Sequence, residues 1–255
     1  RHDQNHAMGQ HSSTQEYLGL VFFVRALSHA KYGSMKLSFD DTRTAFANKT
    51  NRELKLANFL FSIINNPVAS AISQKAVKWS MRMHLPIEWL IRRTVFAHFC
   101  GGADITSADQ VIHRLETGGV QTILDYSAES TTVEKSFNRS MAEILRTIVN
   151  AASKEQVACP VFKVTAIGAA DLLEKIQDGR ILNPEEKLAV QRMKVRIDTI
   201  CRAAYTEDVR LLIDAEESWI QDAIDALVKQ MMEKYNKEKA VIFNTYQLYK
   251  TSAFQ

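Results

Sequence analysis

In the second half of the chain, short and almost wholly apolar runs alternate with long amphipathic stretches. The runs begin near residues 120, 160, 209 and 239 and read VQTILDYS, PVFKVTAIG, VRLLIDAE and KAVIFNTYQ. A strand with one exposed face would alternate polar and apolar residues, so runs this apolar predict strands buried on both faces. Repeated strand–helix units of this kind indicate a parallel α/β sheet, either doubly wound or closed into a barrel.

The glycine pattern favours the barrel. No phosphate-binding turn of the GxGxxG or GxxxxGK type follows any of the four runs, which is evidence against a dinucleotide-binding or P-loop fold. A complete (β/α)8 barrel has eight strands in about 250 residues, whereas residues 120–255 hold only four strand-like runs. The sequence therefore predicts the first half of a (β/α)8 TIM-type barrel.

The rest of the chain divides into two parts. Residues 35–119 have apolar residues at helical spacing and form the predicted helical amino-terminal segment, whereas residues 1–34 are rich in His, Gln, Ser and Asn and are predicted to be a disordered leader. The apolar run LGLVFFV at 18–24 is far shorter than the ~20 residues that span a bilayer. Within the barrel segment, Asn183, Pro184 and two following acids predict the start of a long helix that ends near Tyr205.

Composition excludes several classes of function. A formal net charge of +3, with 32 basic and 29 acidic residues, is too small for a nucleic-acid partner. The three cysteines are far apart and no histidines are paired as in HExxH, so neither a disulfide framework nor a metal site is predicted. A reducing compartment fits this cysteine usage, and nothing predicts export.

Polar residues at the ends of the predicted strands are the candidates for a site, because ligands of α/β sheets bind beyond the carboxyl ends of strands. Asp125 and Tyr126 end the first predicted strand, Lys163 lies within the second, Asp214 ends the third and Asn244 lies within the fourth. The Lys163 ammonium group needs a partner in apolar surroundings, and Asp214 is the nearest candidate.

For these residues alternatives stay open. Lys163 could form a structural ion pair, anchor a substrate carboxylate or act as a Schiff-base nucleophile. Asn244 could bind a core group or a ligand. Asp125 fits a strand-end or helix-cap carboxylate, while Glu216 and Glu217 are predicted to be first-turn acids of the next helix. His98 and His113 are predicted to be surface or packing residues.

Five blocks of sequence resemble the flavin-dependent proline dehydrogenases. They are HFCGG (98–102), GVQTILDYS (119–127), FKVTAIG (162–168), LLIDAEESWIQDAID (211–225) and VIFNTYQLY (241–249). Their order and spacing agree with that family from about Met35 to the end of the chain. The resemblance implies a (β/α)8 barrel preceded by helices, with FAD held over the carboxyl ends of the strands.

The resemblance also implies a reaction and a role for individual residues. The family oxidises L-proline to 1-pyrroline-5-carboxylate and passes the electrons to a membrane quinone, which implies peripheral contact with a membrane. Lys163 matches the family's lysine beside the proline carboxylate, and Asp214 matches its aspartate of the substrate site. Asn244 matches the amide residue that binds the flavin ring in that family. Such an enzyme would be cytoplasmic or membrane-associated in a bacterium and mitochondrial in a eukaryote.

One part of the family pattern is missing. The flavin-phosphate contacts and a Tyr-x-x-Arg-Arg segment that binds the substrate carboxylate belong to the second half of the barrel, and this sequence ends at Gln255 before reaching them. A half barrel would leave strand edges and apolar faces uncovered, so we expect this chain alone to be poorly soluble or inactive. The alternatives are a Schiff-base aldolase-like barrel using Lys163, or a non-catalytic barrel fragment.

Overall fold

A single sheet of five strands organises the chain. The computed structural model describes residues 17–23, 40–127, 133–249 and 251. The strands lie side by side in chain order: β1 (Tyr17–Phe23), β2 (Gln121–Ser127), β3 (Val157–Phe162), β4 (Leu211–Ile213) and β5 (Ile242–Asn244). β1 is antiparallel to β2, whereas β2, β3, β4 and β5 are mutually parallel. The predicted α/β class with a parallel sheet is therefore confirmed.

Helices precede β2, as the apolar spacing predicts. They are α1 (Thr42–Ala45), α2 (Asn51–Asn65), α3 (Pro67–Arg82), α4 (Glu88–Ile91), α5 (Ala97–Phe99) and α6 (Ile105–Thr117), with a π-helical turn at Arg92–Phe96. Thr50 and Glu53 begin α2 with reciprocal side-chain to backbone hydrogen bonds, and Asn66 followed by Pro67 begins α3. α2 and α3 meet at a bend of 100°. Among the described helices none alone is long and apolar enough to cross a membrane, although the bent α2–α3 pair meets that test in combination.

The main core lies between the sheet and the helices that follow its strands. These helices are α7 (Glu134–Ala152), α8 (Ala170–Gln177), α9 (Pro184–Thr206) and α10 (Gln221–Tyr235). Fully buried residues of the strands, such as Leu124, Phe162 and Ile213, pack with fully buried residues of the helices in one cluster. α9 begins as predicted, since Asn183 caps it, Pro184 is its first residue, and Glu185 and Glu186 lie in its first turn.

The alternate residues of the strands form a second, smaller cluster. It consists of Ile123, Cys159 and Val161, with Ala158 and Leu212 packed against them. Because neighbouring residues of a strand point to opposite sides, this cluster marks the sheet face turned away from the main core. The same alternation decides which polar side chains meet at the strand ends.

The strands are shorter than predicted, which moves one candidate residue. β3 ends at Phe162, so the prediction that Lys163 lies within a strand is wrong: Lys163 comes directly after it, and Val164–Ala166 form a 3₁₀ turn. The cause is a tight backbone reversal, in which the Ala166 N–H donates to the Lys163 carbonyl at 3.0 Å. Asn244 is the last residue of β5, and Asp214 follows β4 directly.

The amino-terminal strand departs from the predicted disordered leader. Most of residues 1–34 lie outside the described residues, but Tyr17–Phe23 form β1, so the prediction does not hold for that run. Its backbone pairs with β2 along the whole of both strands, from Tyr17 opposite Ser127 to Phe23 opposite Gln121. The sheet edges of a half barrel were expected to be uncovered, but β1 covers the edge at β2. At the other end of the sheet, β5 pairs with β4 and with no other described strand.

Candidate functional site

The parallel register gathers three ionisable side chains at the carboxyl edge of the sheet. Asp125 pairs with Val161 across β2 and β3, and Val161 pairs with Leu212 across β3 and β4. Lys163 and Asp214 each lie two residues beyond one of these partners and therefore point to the same face. Asp125, Lys163 and Asp214 thus share the face that bears the smaller cluster.

Lys163 and Asp214 form the ion pair that the sequence predicts. The Lys163 Nζ atom lies 2.5 Å from the Asp214 Oδ2 atom, and both side chains are between one third and one half exposed. The other carboxylate oxygen of Asp214 accepts hydrogen bonds from the Thr245 hydroxyl group and the Ala215 N–H, both at 3.1 Å. The Ala215 N–H also donates to the Thr245 Oγ1 atom at 2.7 Å, so β4 and β5 together fix the orientation of Asp214.

The surroundings of Lys163 keep its ammonium group charged. Partial burial opposes the charged form, but the hydrogen bond and charge of Asp214, with the charges of Asp125 and Glu216, outweigh it and raise the pKa of Lys163 above its usual value. A Schiff-base lysine needs a lowered pKa, because only the neutral amine is a nucleophile. The site therefore suits anion binding better than covalent catalysis by Lys163.

Asp125 is a partly buried carboxyl group with spare hydrogen-bonding capacity. Burial raises the pKa of Asp125 to about 6, with the positive charge of Lys163 acting against this and the charge of Asp214 reinforcing it. Its Oδ1 atom is buried and has no hydrogen-bond partner among the described residues. Of the two predicted roles, strand end or helix cap, the first is observed, because Asp125 lies two residues before the end of β2. The second is not, since α7 begins at Glu134 after Val133 and has no side-chain cap. A buried acceptor of this kind is suited to a ligand donor.

Glu216 has a different role from the one predicted. Its side chain is buried and accepts hydrogen bonds from the Thr165 N–H at 3.1 Å and from the Thr165 hydroxyl group. Burial raises the pKa of Glu216, although both hydrogen bonds from Thr165 and the charge of Lys163 act in the opposite direction. The prediction of a first-turn acid is wrong for Glu216 and Glu217, because α10 begins only at Gln221 and has Asp222 in its first turn.

Asn244 lies on the opposite face of the sheet. Its Nδ2 group donates to the Asp225 Oδ1 atom of α10 at 2.9 Å, and its Oδ1 atom accepts from the Thr245 N–H at 3.0 Å. The predicted alternative of a core partner is thus observed. The structure brings Lys163 and Asp214 together but does not bring Asn244 into contact with them.

Arg196 of α9 is a residue that the sequence reasoning missed. It is only 4% exposed, and its guanidinium group donates to the Ile167 carbonyl at 3.0 Å and to Asn138 Oδ1 at 2.8 Å, and pairs with Glu134. These contacts hold the turn that follows Lys163 against two helices. The signal was present, because Arg196 falls at helical spacing among the apolar core positions Met193, Ile197 and Ile200.

The two histidines considered above, His98 and His113, do not contribute to this group of side chains. The His98 ring packs edge-on against Phe61 and Phe99, with ring centroids 5.6 Å and 4.7 Å away, as a packing residue would. His113 is exposed and lies 3.2 Å from Glu116. Within the described parts of the chain, no group of three or more His, Cys, Asp or Glu side chains is arranged to hold a metal ion.

Comparison with known proteins identifies one family. The family described as "Proline dehydrogenase" matches residues 108–255, which is more than half of the chain. The chain is 26% identical to proline dehydrogenase 1, mitochondrial, of Dictyostelium discoideum over 248 residues, covering 82% of this chain and 43% of that protein. It is 44% identical to the Drosophila melanogaster protein of the same name over 72 residues, covering 28% and 11%.

Two proteins with other names are also similar to this chain. The carbapenem antibiotics biosynthesis protein CarD of Pectobacterium carotovorum is 27% identical over 151 residues, covering 59% of this chain and 40% of that protein. The crystal structure of proline utilization A from Bdellovibrio bacteriovorus, inactivated by N-propargylglycine, superposes with a TM-score of 0.48 at 15% identity, covering 59% and 17%. The chain spans about two fifths of the length of the first two curated relatives above.

Proposed function

Because this chain belongs to the proline dehydrogenase family, we propose that it contributes to the oxidation of L-proline to 1-pyrroline-5-carboxylate, with FAD as the hydride acceptor. The observation that carries the proposal is the Lys163–Asp214 pair at the carboxyl edge of the sheet, beside the Asp125 Oδ1 atom, which has no partner among the described residues. This is the edge at which α/β enzymes bind their substrates. A membrane quinone is the proposed final electron acceptor.

We further propose that the sheet is the first half of a (β/α)8 barrel. In support, β2 to β5 follow one another in space in the same order as in the chain, so each strand is added on the same side. A doubly wound sheet would instead reverse its strand order at a switch point. The helices also pack in one main cluster on one face, as the outer helices of a barrel do.

The charges of the site complement the two ends of proline. Proline carries a carboxylate group and a secondary ammonium group that are bonded to the same carbon atom. The Lys163 ammonium group would bind the carboxylate, since charge-assisted hydrogen bonds are the strongest that a site can offer. The Asp125 oxygen atom without a partner would accept a hydrogen bond from the ring nitrogen. This arrangement would fix which end of the substrate points toward each strand.

Asp125 also suits the proton that the reaction releases. The ring nitrogen must lose a proton when hydride leaves the carbon beside it. A carboxyl group with a pKa of about 6 is largely ionised at neutral pH and takes up a proton more readily than an ordinary aspartate. Thr245 and Ala215 would meanwhile keep Asp214 directed at Lys163.

For the flavin, this chain offers Asn244 as the proposed contact. One N–H of its amide donates to Asp225 and its oxygen atom accepts from Thr245, so the second N–H is the group that would bind the flavin ring. Asn244 faces α10 and not the face of the Lys163–Asp214 pair, so the fit is limited to this single donor at the end of β5. When bound, FAD would supply the redox step, while the protein supplies orientation and charge.

The proposed compartment follows the relatives. The Dictyostelium discoideum and Drosophila melanogaster proteins are named as mitochondrial. We therefore propose a mitochondrial protein if the source is a eukaryote, and a cytoplasmic or membrane-associated one if it is a bacterium.

The test is a combined spectrum and activity measurement. Protein in which this chain is completed by the second half of the proposed barrel, purified in the presence of FAD, should be yellow and should reduce an artificial electron acceptor when L-proline is added, but not with D-proline. A colourless preparation that takes up no FAD, although its far-ultraviolet circular dichroism shows a folded protein, would contradict the proposal.

The Schiff-base alternative has its own test. A carbonyl substrate that is trapped on Lys163 by borohydride would support it, but the raised pKa of Lys163 leads us to expect no trapping.

A further inference from the structure

A large cavity lies between the amino-terminal helices and α6. Residues of α2, of the π-helical turn, of the loop at 100–103 and of α6 contribute to its lining, which includes no residue of the Lys163–Asp214 site. Its volume of about 840 Å³ falls within the range of small-molecule binding sites. Much of its wall is apolar and includes Phe46, Leu54, Leu56, Phe96 and Val111. The cavity therefore has the size for an organic molecule and offers that molecule an apolar contact surface.

Cationic side chains outnumber carboxylates around this cavity. Five of its lining residues are basic, namely Lys49, Arg52, Arg92, Arg93 and Arg114, and one is acidic, namely Glu53. Arg114 pairs with Glu53 and Arg92 pairs with Glu88, each at 2.8 Å. Two of the five positive charges are thus compensated, and three remain.

Lys49, Arg52 and Arg93 carry this excess charge. All three are exposed, and within the described part of the chain none of them has a carboxylate at ion-pairing distance. Lys49 and Arg52 lie on either side of Asn51, the first residue of α2, where the positive end of the helix dipole disfavours cations. Arg93 lies 5.0 Å from the centre of the Trp89 ring, which attracts the cation but leaves its charge uncompensated. Local structure alone therefore gives no energetic reason to gather these charges, whereas a bound anion would.

We propose that this cavity binds a small organic phosphate, such as a nucleotide. Guanidinium groups bind phosphate oxygen atoms through paired hydrogen bonds, and a lysine adds a compact positive charge. Three uncompensated cations match a ligand with about two negative charges, which a phosphate ester carries at neutral pH. The apolar wall favours an organic ligand over an inorganic ion, because an ion alone would leave that wall in contact with water. The proposal does not rest on the proposed function, since it uses no residue at the strand ends.

The backbone around the cavity supports a binding role. Arg92–Phe96 form a π-helical turn, a rare conformation that is frequent at functional sites. The turn contributes Arg92, Arg93 and Phe96 to the lining, so it supplies both cations and part of the apolar wall. Basic residues that are only solvated require neither a cavity nor the convergence of separate segments on it.

Calorimetric titration tests the binding directly. The protein, without flavin or proline, is titrated with ATP, with inorganic pyrophosphate and with adenosine, in the presence of EDTA so that no metal ion bridges the phosphates. We expect ATP to bind. Pyrophosphate should bind more weakly because it lacks an apolar part, and adenosine should not bind measurably because it lacks the negative charges.

Two triple variants locate the binding site. The first replaces Lys49, Arg52 and Arg93 by Gln, and the control replaces the exposed Lys187, Lys194 and Lys237 by Gln. The first variant should bind ATP at least about tenfold more weakly, since each exposed charge contributes a modest amount. The control removes the same number of positive charges and should leave ATP binding unchanged. Lys163→Met should leave it unchanged as well.

Four results would overturn the proposal. One is a protein that circular dichroism shows to be folded but that binds no ATP. Another is equal weakening in the first variant and the control, which would attribute binding to net charge. The third is pyrophosphate or adenosine that binds as tightly as ATP. The fourth is loss of ATP binding in Lys163→Met, which would assign the ligand to the strand ends. No measurement requires flavin or turnover, so failure of the proposed enzymatic function would leave all of them interpretable.

Discussion

Glu216 accepts two hydrogen bonds from Thr165, one from its backbone N–H and one from its hydroxyl group. The contact ties the turn after β3 to the segment after β4, on either side of the Lys163–Asp214 pair. It therefore connects the two loops whose relative position decides whether that pair forms.

Removing this carboxylate should destabilise the protein. Glu216→Ala would leave the Thr165 N–H without its acceptor, and we expect the free energy of unfolding to fall by about 2–3 kcal/mol. The neighbouring Glu217→Ala is the matched control, because Glu217 is exposed and its loss should cost less than about 0.5 kcal/mol. Urea unfolding followed by circular dichroism measures both. Equal losses in the two variants would contradict the role given to Glu216.

Lys163→Met should separate binding from stability. The Lys163–Asp214 pair is partly exposed, so its loss should change the free energy of unfolding by no more than about 1 kcal/mol. Loss of a charge-assisted hydrogen bond to the substrate carboxylate should weaken L-proline binding at least about tenfold. The control is Lys175→Met, which removes an ion pair with Glu186 on the helical side; the lysine is similarly exposed there, while the carboxylate is less exposed. Thermal unfolding measures the effect on stability, and calorimetric titration with L-proline measures the effect on binding. A stability change with unaltered binding would support a purely structural pair.

Asp125 should make stability fall as the pH rises from 4 to 7. In the unfolded chain its carboxyl group ionises near the ordinary aspartate pKa of 3.8, but in the folded protein it stays protonated until about pH 6. The stability associated with the protonated form is therefore present below pH 4 and lost as the pH passes through 6. Relative to Asp125→Asn, wild-type protein should lose about 2 kcal/mol of unfolding free energy over this range. The difference between wild-type protein and a variant of the exposed Asp171, Asp171→Asn, should not follow that curve.

Gly168 should not tolerate a side chain. A Cβ atom added there would lie 2.2 Å from the sulfur and 2.6 Å from the Cγ atom of Met193, which is fully buried. Gly168→Ala should therefore cost about 1–3 kcal/mol of unfolding free energy through overpacking. A double-mutant cycle with Met193→Ala should show that the two changes together cost less than their sum. Simple additivity would mean that Gly168 is constrained by something other than this contact.

Local sequence patterns predicted the strands and helix starts that short-range interactions determine. Apolar runs located β2 to β5, and the cap residue Asn183 located the start of α9, because each element carries its own period or cap. The Lys163–Asp214 pairing was also predictable, since polar residues at the ends of adjacent parallel strands meet at the same edge. None of these conclusions required knowledge of a distant contact.

What escaped prediction depends on register and on distant partners. Asn244 points toward α10 because β5 has a particular register against β4, and a shift of one residue would have turned it to the other face. Glu216 was predicted to lie in the first turn of the helix, but α10 starts five residues later, at Gln221. The Glu216 carboxylate is therefore free to reach Thr165, where it is buried. The pairing of Tyr17–Phe23 with β2 spans about a hundred residues, and no local pattern specifies such a contact.

That amino-terminal strand would compete with closure of the proposed barrel. In a closed barrel, the outer edge of β2 receives the last strand of the ring in parallel orientation, yet here the same backbone groups are occupied by β1 in antiparallel orientation. One set of N–H and C=O groups can serve only one neighbour at a time. Docking of Tyr17–Phe23 and closure of a ring are therefore mutually exclusive, and a closing strand must gain more by pairing than β1 loses when it is expelled.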